Sequence, residues 1–113
     1  MSIQKDLEEN AREYFNNGLI TQNKKEYNSS VTLFFKSIST LADLFILKNE
    51  GSFPSSHAER FRILEKNYKE IYELIDKNFP YYQNTYRNKL NKETSKMLEN
   101  DARKLFKTLG IRI

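Results

Sequence analysis

The sequence predicts an all-α protein, an antiparallel up-down bundle of four to five helices that forms a single domain over residues 1–113. Apolar residues recur at intervals of three and four along most of the chain, as they do on one face of a helix. The 113 residues include only 3 Gly and 2 Pro, whereas an all-β protein needs a turn about every 8 to 12 residues. A chain of this length fits one domain and leaves a large fraction of its surface available to partners.

The first helix is predicted from a single apolar stripe near the N-terminus. Ile3, Leu7, Ala11 and Tyr14 follow one another at intervals of three and four. We expect Gly18, the next position of the stripe, to end or loosen this helix, because glycine is a poor helix former.

The second helix carries two apolar stripes and is predicted to be the central helix of the bundle. The stripes consist of Tyr27, Val31, Phe34, Ile38, Leu41 and Phe45, and of Phe35, Ala42 and Ile46. We expect the helix to stop near residues 49–51, where Gly51 can supply a left-handed cap. Pro54 then opposes an early restart.

A third helix is predicted to begin at residues 56–59, because Ser-His-Ala-Glu fits the capping-box pattern Ser-x-x-Glu. Its apolar positions are Phe61, Leu64, Tyr68, Ile71 and Ile75. Asn67 marks a candidate break, and we expect Pro80 to close the helix, since proline lacks the N–H that a helix interior needs.

The remaining chain predicts two further helices. Residues 81–90 form a short fourth helix and residues 92–109 a fifth. The inward positions of the fifth are Leu98, Ala102, Leu105 and Leu109. Gly110 is its predicted stop.

Composition excludes several kinds of site. The chain has 0 Cys and a single histidine, His57, so it can build neither a thiolate site nor a multi-histidine zinc site. We therefore expect no metal and no cofactor. Residues 1–20 lack the apolar segment of a secretory signal, and no apolar run approaches the length of a membrane span. We expect a cytoplasmic protein without membrane contact.

Positive charge is concentrated toward the C-terminus of a chain whose formal net charge is +4. Residues 86–113 hold eight Lys and Arg against three Asp and Glu, whereas residues 1–20 hold two against four. A basic end attracts a polyanion. For residues 103–107 the structural alternative is a solvated helix end, where the helix dipole favours cations.

Residues 86–92 look like a motif found in RNA-cleaving proteins. The motif consists of an arginine, a polar residue directly after it, and a histidine five positions beyond the arginine. Arg87 and Asn88 fit this pattern, and Lys92 stands where the histidine would be. The segment resembles the HEPN superfamily, small helical-bundle proteins whose nuclease members use the pattern to cut RNA without a metal. Lysine keeps the positive charge for phosphate but exchanges protons poorly near neutral pH.

The HEPN resemblance extends over most of the chain. The features that follow the order of small archaeal and bacterial members are Lys-Lys-Glu-Tyr at residues 24–27, the aromatic second helix, Pro-x-x-His at residues 54–57, and Tyr-Arg-Asn at residues 86–88. The resemblance implies a C2 homodimer in which Arg87 approaches its symmetry mate. It also implies a small nucleotidyltransferase partner, as in toxin–antitoxin pairs. The 8 Phe and 7 Tyr, too many for one small core, favour the same dimer.

We interpret the chain as a non-catalytic, HEPN-like protein of the toxin–antitoxin type that binds RNA or a nucleotide as a homodimer. The expected binding residues are Tyr86, Arg87, Lys89 and Lys92. Arginine suits bidentate phosphate contacts, and tyrosine can stack on bases. Two alternatives stay open: an active metal-independent RNase in which Lys92 or His57 replaces the missing histidine, and a helical scaffold for protein partners.

Structural explanations compete for individual residues. Arg87 can form an ion pair within the bundle, and Asn88 can cap a helix or bond to backbone. Asp43, on the second helix, can support the site by orienting Arg87, or it can face solvent. We assign His57 to capping or surface packing rather than catalysis, because it opens a helix thirty positions before the arginine.

Overall fold

The computed structural model describes residues 2–113, which form five α-helices and no β-strand. The helices are α1 (Ile3–Asn23), α2 (Tyr27–Glu50), α3 (His57–Asn67), α4 (Lys69–Asn84) and α5 (Lys92–Leu109). The prediction of an all-α chain is confirmed, with five helices rather than four.

Helix α2 lies at the centre of the protein, as its two apolar stripes predict. It packs against α1, α4 and α5, while α3 packs against α4. The largest fully buried side chains are Phe15, Phe34, Phe35, Phe106, Ile38, Leu41, Leu44, Ile46, Leu64, Ile75, Leu98 and Leu105. Phe15 of α1 joins three helices, since its ring centroid lies 5.4 Å from that of Phe34 and 5.5 Å from that of Phe106.

Three helix boundaries follow the local sequence signals. Gly51 and Gly110 adopt the left-handed conformation, with φ of 82° and 69°, directly after α2 and α5. The hydroxyl of Ser56 accepts the backbone N–H of Glu59 at 3.1 Å, which caps the start of α3. The predicted ends of α2 and α5 and the predicted start of α3 are therefore confirmed.

Gly18 does not end α1, contrary to the prediction. The helix continues to Asn23, and Gly18 is buried where α1 meets α2. A Cβ atom at Gly18 would lie 2.5 Å from Cε1 of Phe34, well inside van der Waals contact. This glycine therefore permits close packing between two helices and does not serve as a stop.

Pro80 does not close a helix either. The predicted third helix divides near Asn67 into α3 and α4, and α4 passes through Pro80 to Asn84. Pro80 removes the hydrogen bond to the carbonyl of Asp76, but both residues are exposed, so that carbonyl can be hydrated. The predicted helix over residues 81–90 is wrong in its second half, because the chain leaves helical conformation after Asn84.

The prediction that no segment approaches a membrane span also needs correction. Helix α2 is long and apolar enough, by length and composition, to cross a bilayer. About 67% of its most apolar window is buried inside the protein. The central position of α2 accounts for this composition.

Candidate functional site

The predicted binding residues lie in and beside the α4–α5 loop, which we define as residues 85–91. Tyr86, Arg87, Asn88 and Lys89 occupy turns and irregular backbone in this loop, and Lys92 is the first residue of α5. All five side chains are exposed. The structure thus brings the motif together on a loop, whereas the sequence predicted a helix for most of it.

Asn28 of α2 holds the α4–α5 loop in place. Its amide nitrogen donates to the carbonyl of Thr85 at 3.1 Å and to that of Asn88 at 2.7 Å. Its amide oxygen accepts the backbone N–H of Leu90 at 2.8 Å. Asn88 therefore contributes its backbone to this contact. Sequence reasoning missed Asn28, because nothing local distinguishes it from a helix-surface asparagine.

The cations of the loop are available for an anionic ligand. The ion pairs among residues 2–113 involve other cations, namely Arg12, Arg60, Lys77, Lys96 and Arg103. Arg87, Lys89 and Lys92 pair with no carboxylate among residues 2–113. The ion pair within the bundle that was considered for Arg87 is therefore not formed in the described chain. Unpaired surface cations bind phosphate without first breaking an internal bond.

Further lysines flank the loop. Lys25, in the turn between α1 and α2, lines a depression of about 300 Å³ together with Lys89. On the other side, Lys92, Lys96 and Lys104 line a shallow depression of about 630 Å³ along α5. Glu26 also lines the first depression, and Glu93 and Asp101 line the second, so lysines flank the motif on both sides within a surface of mixed charge.

Arg103 is exposed but is engaged by other residues of the bundle. Its Nε lies 2.9 Å from a carboxylate oxygen of Glu99, and its guanidinium lies 4.9 Å from the centre of the Phe15 ring. Within the basic 103–107 segment, Arg103 is therefore paired with Glu99 and packed on Phe15. The neighbouring Arg103 and Lys96, together with Gln22, hold the pKa of Glu99 below its usual value in spite of its burial.

Two tyrosines of the candidate site have different environments. Tyr82 stacks on the core residue Phe35, with ring centroids 4.8 Å apart and planes at 16°. Tyr86 is 75% exposed and touches Tyr82 through the hydroxyls, 3.3 Å apart. The hydrogen bond with Tyr86, with some burial, raises the pKa of Tyr82. Tyr86 is thus the ring with a free face, and Tyr82 belongs to the core.

Asp43 neither orients Arg87 nor faces solvent, which corrects both expectations for this residue. It is buried on α2 and accepts two hydrogen bonds from Arg60 of α3, from Nε at 2.6 Å and from Nη2 at 2.9 Å. Asn28, which contacts the α4–α5 loop, lies fifteen positions earlier on the same helix, or about 22 Å along its axis. A buried carboxylate needs a near cation, and Arg60 provides it.

His57 completes the Asp43–Arg60–His57 cluster. Its Nδ1 lies 2.7 Å from Nη1 of Arg60. A guanidinium can only donate, so Nδ1 accepts and the ring proton resides on Nε2. Burial lowers the pKa of His57, as do the charges of Arg60 and Lys36, while Asp43 acts in the opposite direction.

The chemistry of His57 follows from this arrangement. At neutral pH the ring is uncharged, and its second nitrogen, Nε2, is a hydrogen-bond donor. It therefore cannot accept a proton through Nε2 unless the contact with Arg60 is given up. Sequence reasoning missed Arg60, although Asp43 among core positions of α2 signalled that some cation must pair with it.

No protein-family model, no curated protein and no solved structure matches this chain significantly.

Proposed function

We propose that the protein binds single-stranded RNA without cleaving it, as a HEPN-like antiparallel helical bundle. One observation carries the proposal: Arg87, Lys89 and Lys92 are exposed without ion-pair partners in the described chain, on and beside the loop that presents Tyr86. Cations and an aromatic face on one segment suit a strand whose phosphates and bases are both accessible.

The expected energetics differ for the two kinds of contact. Each phosphate neutralised by a cation releases condensed counterions, so the affinity falls steeply with salt. Stacking of a base on Tyr86 adds about 1–3 kcal/mol and depends little on salt or sequence. The proposed complex is therefore dominated by phosphate contacts and has little sequence preference.

The absence of cleavage in this proposal follows from proton chemistry. RNA cleavage needs groups that take up and release a proton near working pH. Position 92 holds a lysine, a residue type that is a poor general acid–base catalyst near neutral pH. His57 belongs to a separate cluster in which Arg60 occupies its accepting nitrogen. Neither residue supplies the function of the histidine that the HEPN pattern has at position 92.

The proposal includes a C2 homodimer and a toxin–antitoxin setting with a small nucleotidyltransferase as partner. Both rest on the resemblance of residues 86–88 and the preceding segments to HEPN proteins. In a dimer built around the α4–α5 loops, two copies of Arg87 would face one strand and double the number of phosphate contacts.

The proposal is tested by removing the loop cations. Arg87→Ala/Lys89→Ala/Lys92→Ala should weaken binding of a fluorescent single-stranded RNA at least tenfold at low salt, since three phosphate contacts disappear. The matched control is Arg62→Ala/Lys66→Ala/Lys69→Ala, which removes three exposed cations from α3 and the start of α4.

The control variant distinguishes binding at the α4–α5 loop from binding through the net positive charge of the whole protein. If both triple variants weaken binding equally, the loop is not the site and the protein binds RNA through its net charge alone. If neither the wild type nor the variants bind RNA at low salt, the scaffold function becomes the better explanation. RNA cleavage that disappears in Arg87→Ala would instead establish the RNase alternative.

A further inference from the structure

A groove of about 440 Å³ lies beside Tyr86, between α2 and the start of the α4–α5 loop. Its lining consists of Asn28, Ser29, Thr32, Leu33, Thr85 and Tyr86. Leu33 and the Tyr86 ring supply apolar surface, and the hydroxyls of Ser29 and Thr32 supply polar groups. The volume lies within the range of small-molecule sites, which combine an apolar wall with a few polar groups.

Lys36 and His57 continue the same face of the protein beyond this groove. Leu33 and Lys36 are three positions apart on α2 and therefore neighbours on its surface. The ring of Tyr82 links the two ends, since its centroid is 6.0 Å from Tyr86 and 6.2 Å from His57. Lys36 and His57 are not part of the groove lining but lie beyond it on the side of Leu33 and Tyr82, while Arg87 follows Tyr86 directly in sequence.

The region around Lys36 and His57 has the chemistry of a phosphate contact. Arg60 is neutralised by its two hydrogen bonds to Asp43, so Lys36 supplies the net positive charge there. Lys36 directly follows Phe35 on α2, and the ring centroid of Phe35 lies 6.4 Å from that of His57. His57 offers Nε2–H as a donor, because Arg60 occupies Nδ1. A flexible ammonium and a neutral N–H donor can both bind an anionic oxygen.

We propose that this groove holds one nucleotide of the bound strand, with its base against Tyr86 and Leu33 and a phosphate on Lys36 and His57. The inference rests on the proposed function and adds a path for the RNA: from the α4–α5 loop along α2 toward the start of α3. His57 is a binding residue in this account, and Asp43 and Arg60 position its ring.

The single histidine provides a direct reporter. Because His57 is the only imidazole in the chain, its C2–H proton gives one NMR signal from the region beyond the groove. Hexauridylate, unlabelled for NMR and fluorescein-labelled for anisotropy, is titrated into the protein at constant ionic strength. We expect the His57 signal to shift saturably, with the same midpoint as the anisotropy.

Two variants of Lys36 and one control variant of Lys48 test the phosphate contact. Lys36→Ala should abolish the shift and weaken hexauridylate binding roughly fivefold, as loss of one exposed ionic contact would. Lys48→Ala, which removes another exposed lysine of α2, should change neither. Lys36 also lies 5.9 Å from the centre of the Tyr14 ring, so Lys36→Gln, which retains most of the side chain, is measured as a second variant with the same expected loss.

The outcomes distinguish the groove from the loop. If anisotropy shows that hexauridylate binds but the His57 signal does not move at saturation, the proposed nucleotide site in the groove is wrong. Binding at the α4–α5 loop would then still stand. A shift that persists fully in both Lys36 variants would also overturn it, since the phosphate contact would then lie elsewhere. Failure of wild type to bind hexauridylate at all would remove the proposed function together with this inference.

Discussion

At the scale of single residues, the Asp43–Arg60 pair illustrates how a buried charge constrains a small core. Asp43 lies on the central helix, where ionisation is costly unless a cation is near. Arg60 meets both carboxylate oxygens and holds His57 through its remaining nitrogen. One side chain of α3 therefore fastens that short helix to α2 and fixes the histidine ring.

Removing one partner of this pair should be far more damaging than removing both. We expect Arg60→Ala to lower the free energy of unfolding by about 3–5 kcal/mol, because Asp43 would stay buried without a cation. Asp43→Leu/Arg60→Met should recover most of that loss. Urea denaturation measures both, with Arg62→Ala as a neighbouring exposed control expected within about 0.5 kcal/mol of wild type. A double variant no more stable than Arg60→Ala would contradict this account.

At the scale of helices and loops, local signals predict some boundaries and fail at others for identifiable reasons. Gly51 and Ser56 act within their own turns of backbone, so the end of α2 and the start of α3 could be predicted. Gly18 and Pro80 follow the same local rules, but their roles depend on Phe34 across a helix interface and on the solvent exposure of α4. Such contacts between distant segments are not visible in a local pattern.

The candidate site likewise combines features that the sequence could predict with features that it could not. Tyr86, Arg87, Lys89 and Lys92 could be selected from the sequence, since charge and motif are properties of one segment. The loop conformation could not be, because it depends on Asn28, about sixty positions away in sequence. The partner of Asp43 could not be identified either, since any of the 19 Lys and Arg residues could have paired with it.

The dependence of the loop on Asn28 leads to a prediction at this scale. Asn28→Ala removes three hydrogen bonds to the loop backbone, so we expect the amide of Leu90 to exchange with solvent roughly tenfold faster or more. RNA affinity should fall as well, because Arg87 and Lys89 would no longer be held together. Hydrogen exchange by NMR measures the first effect. Asn49→Ala, another asparagine of α2, is the control, and equal protection in Asn28→Ala would refute the anchoring role.

At the scale of the whole molecule, the aromatic content does not by itself require a dimer. Of the 15 Phe and Tyr residues, only Phe53 and Tyr86 are exposed. Among residues 2–113, the other exposed large hydrophobic residues are Ile3, Ile20 and Ile113. The sequence suggested that a partner would cover many of these rings. The five helices accommodate most of them instead, because many rings lie half-buried at the rim of the core. The dimer is proposed on the HEPN resemblance.

We nevertheless expect a homodimer in solution. Light scattering at micromolar concentration should give twice the monomer mass of 13.5 kDa. Tyr86→Asp, at the exposed ring beside Arg87, should shift the mass toward the monomer if the α4–α5 loops meet at the two-fold axis. A species of 13.5 kDa alone would remove the composite site and leave each loop to bind RNA separately.

The salt dependence of RNA binding tests the central claim most directly. The three loop cations predict a slope of log affinity against log salt of about −2 per protomer, at about −0.7 per phosphate contact on a single strand, and about −4 for a dimer. In Arg87→Ala/Lys89→Ala/Lys92→Ala the slope should flatten by about 2 per protomer, leaving only the contribution of the contact proposed at Lys36, while the control variant on α3 and α4 keeps the wild-type slope. An unchanged slope in the loop variant, or wild-type binding that does not weaken with salt, would contradict a phosphate site on the α4–α5 loop.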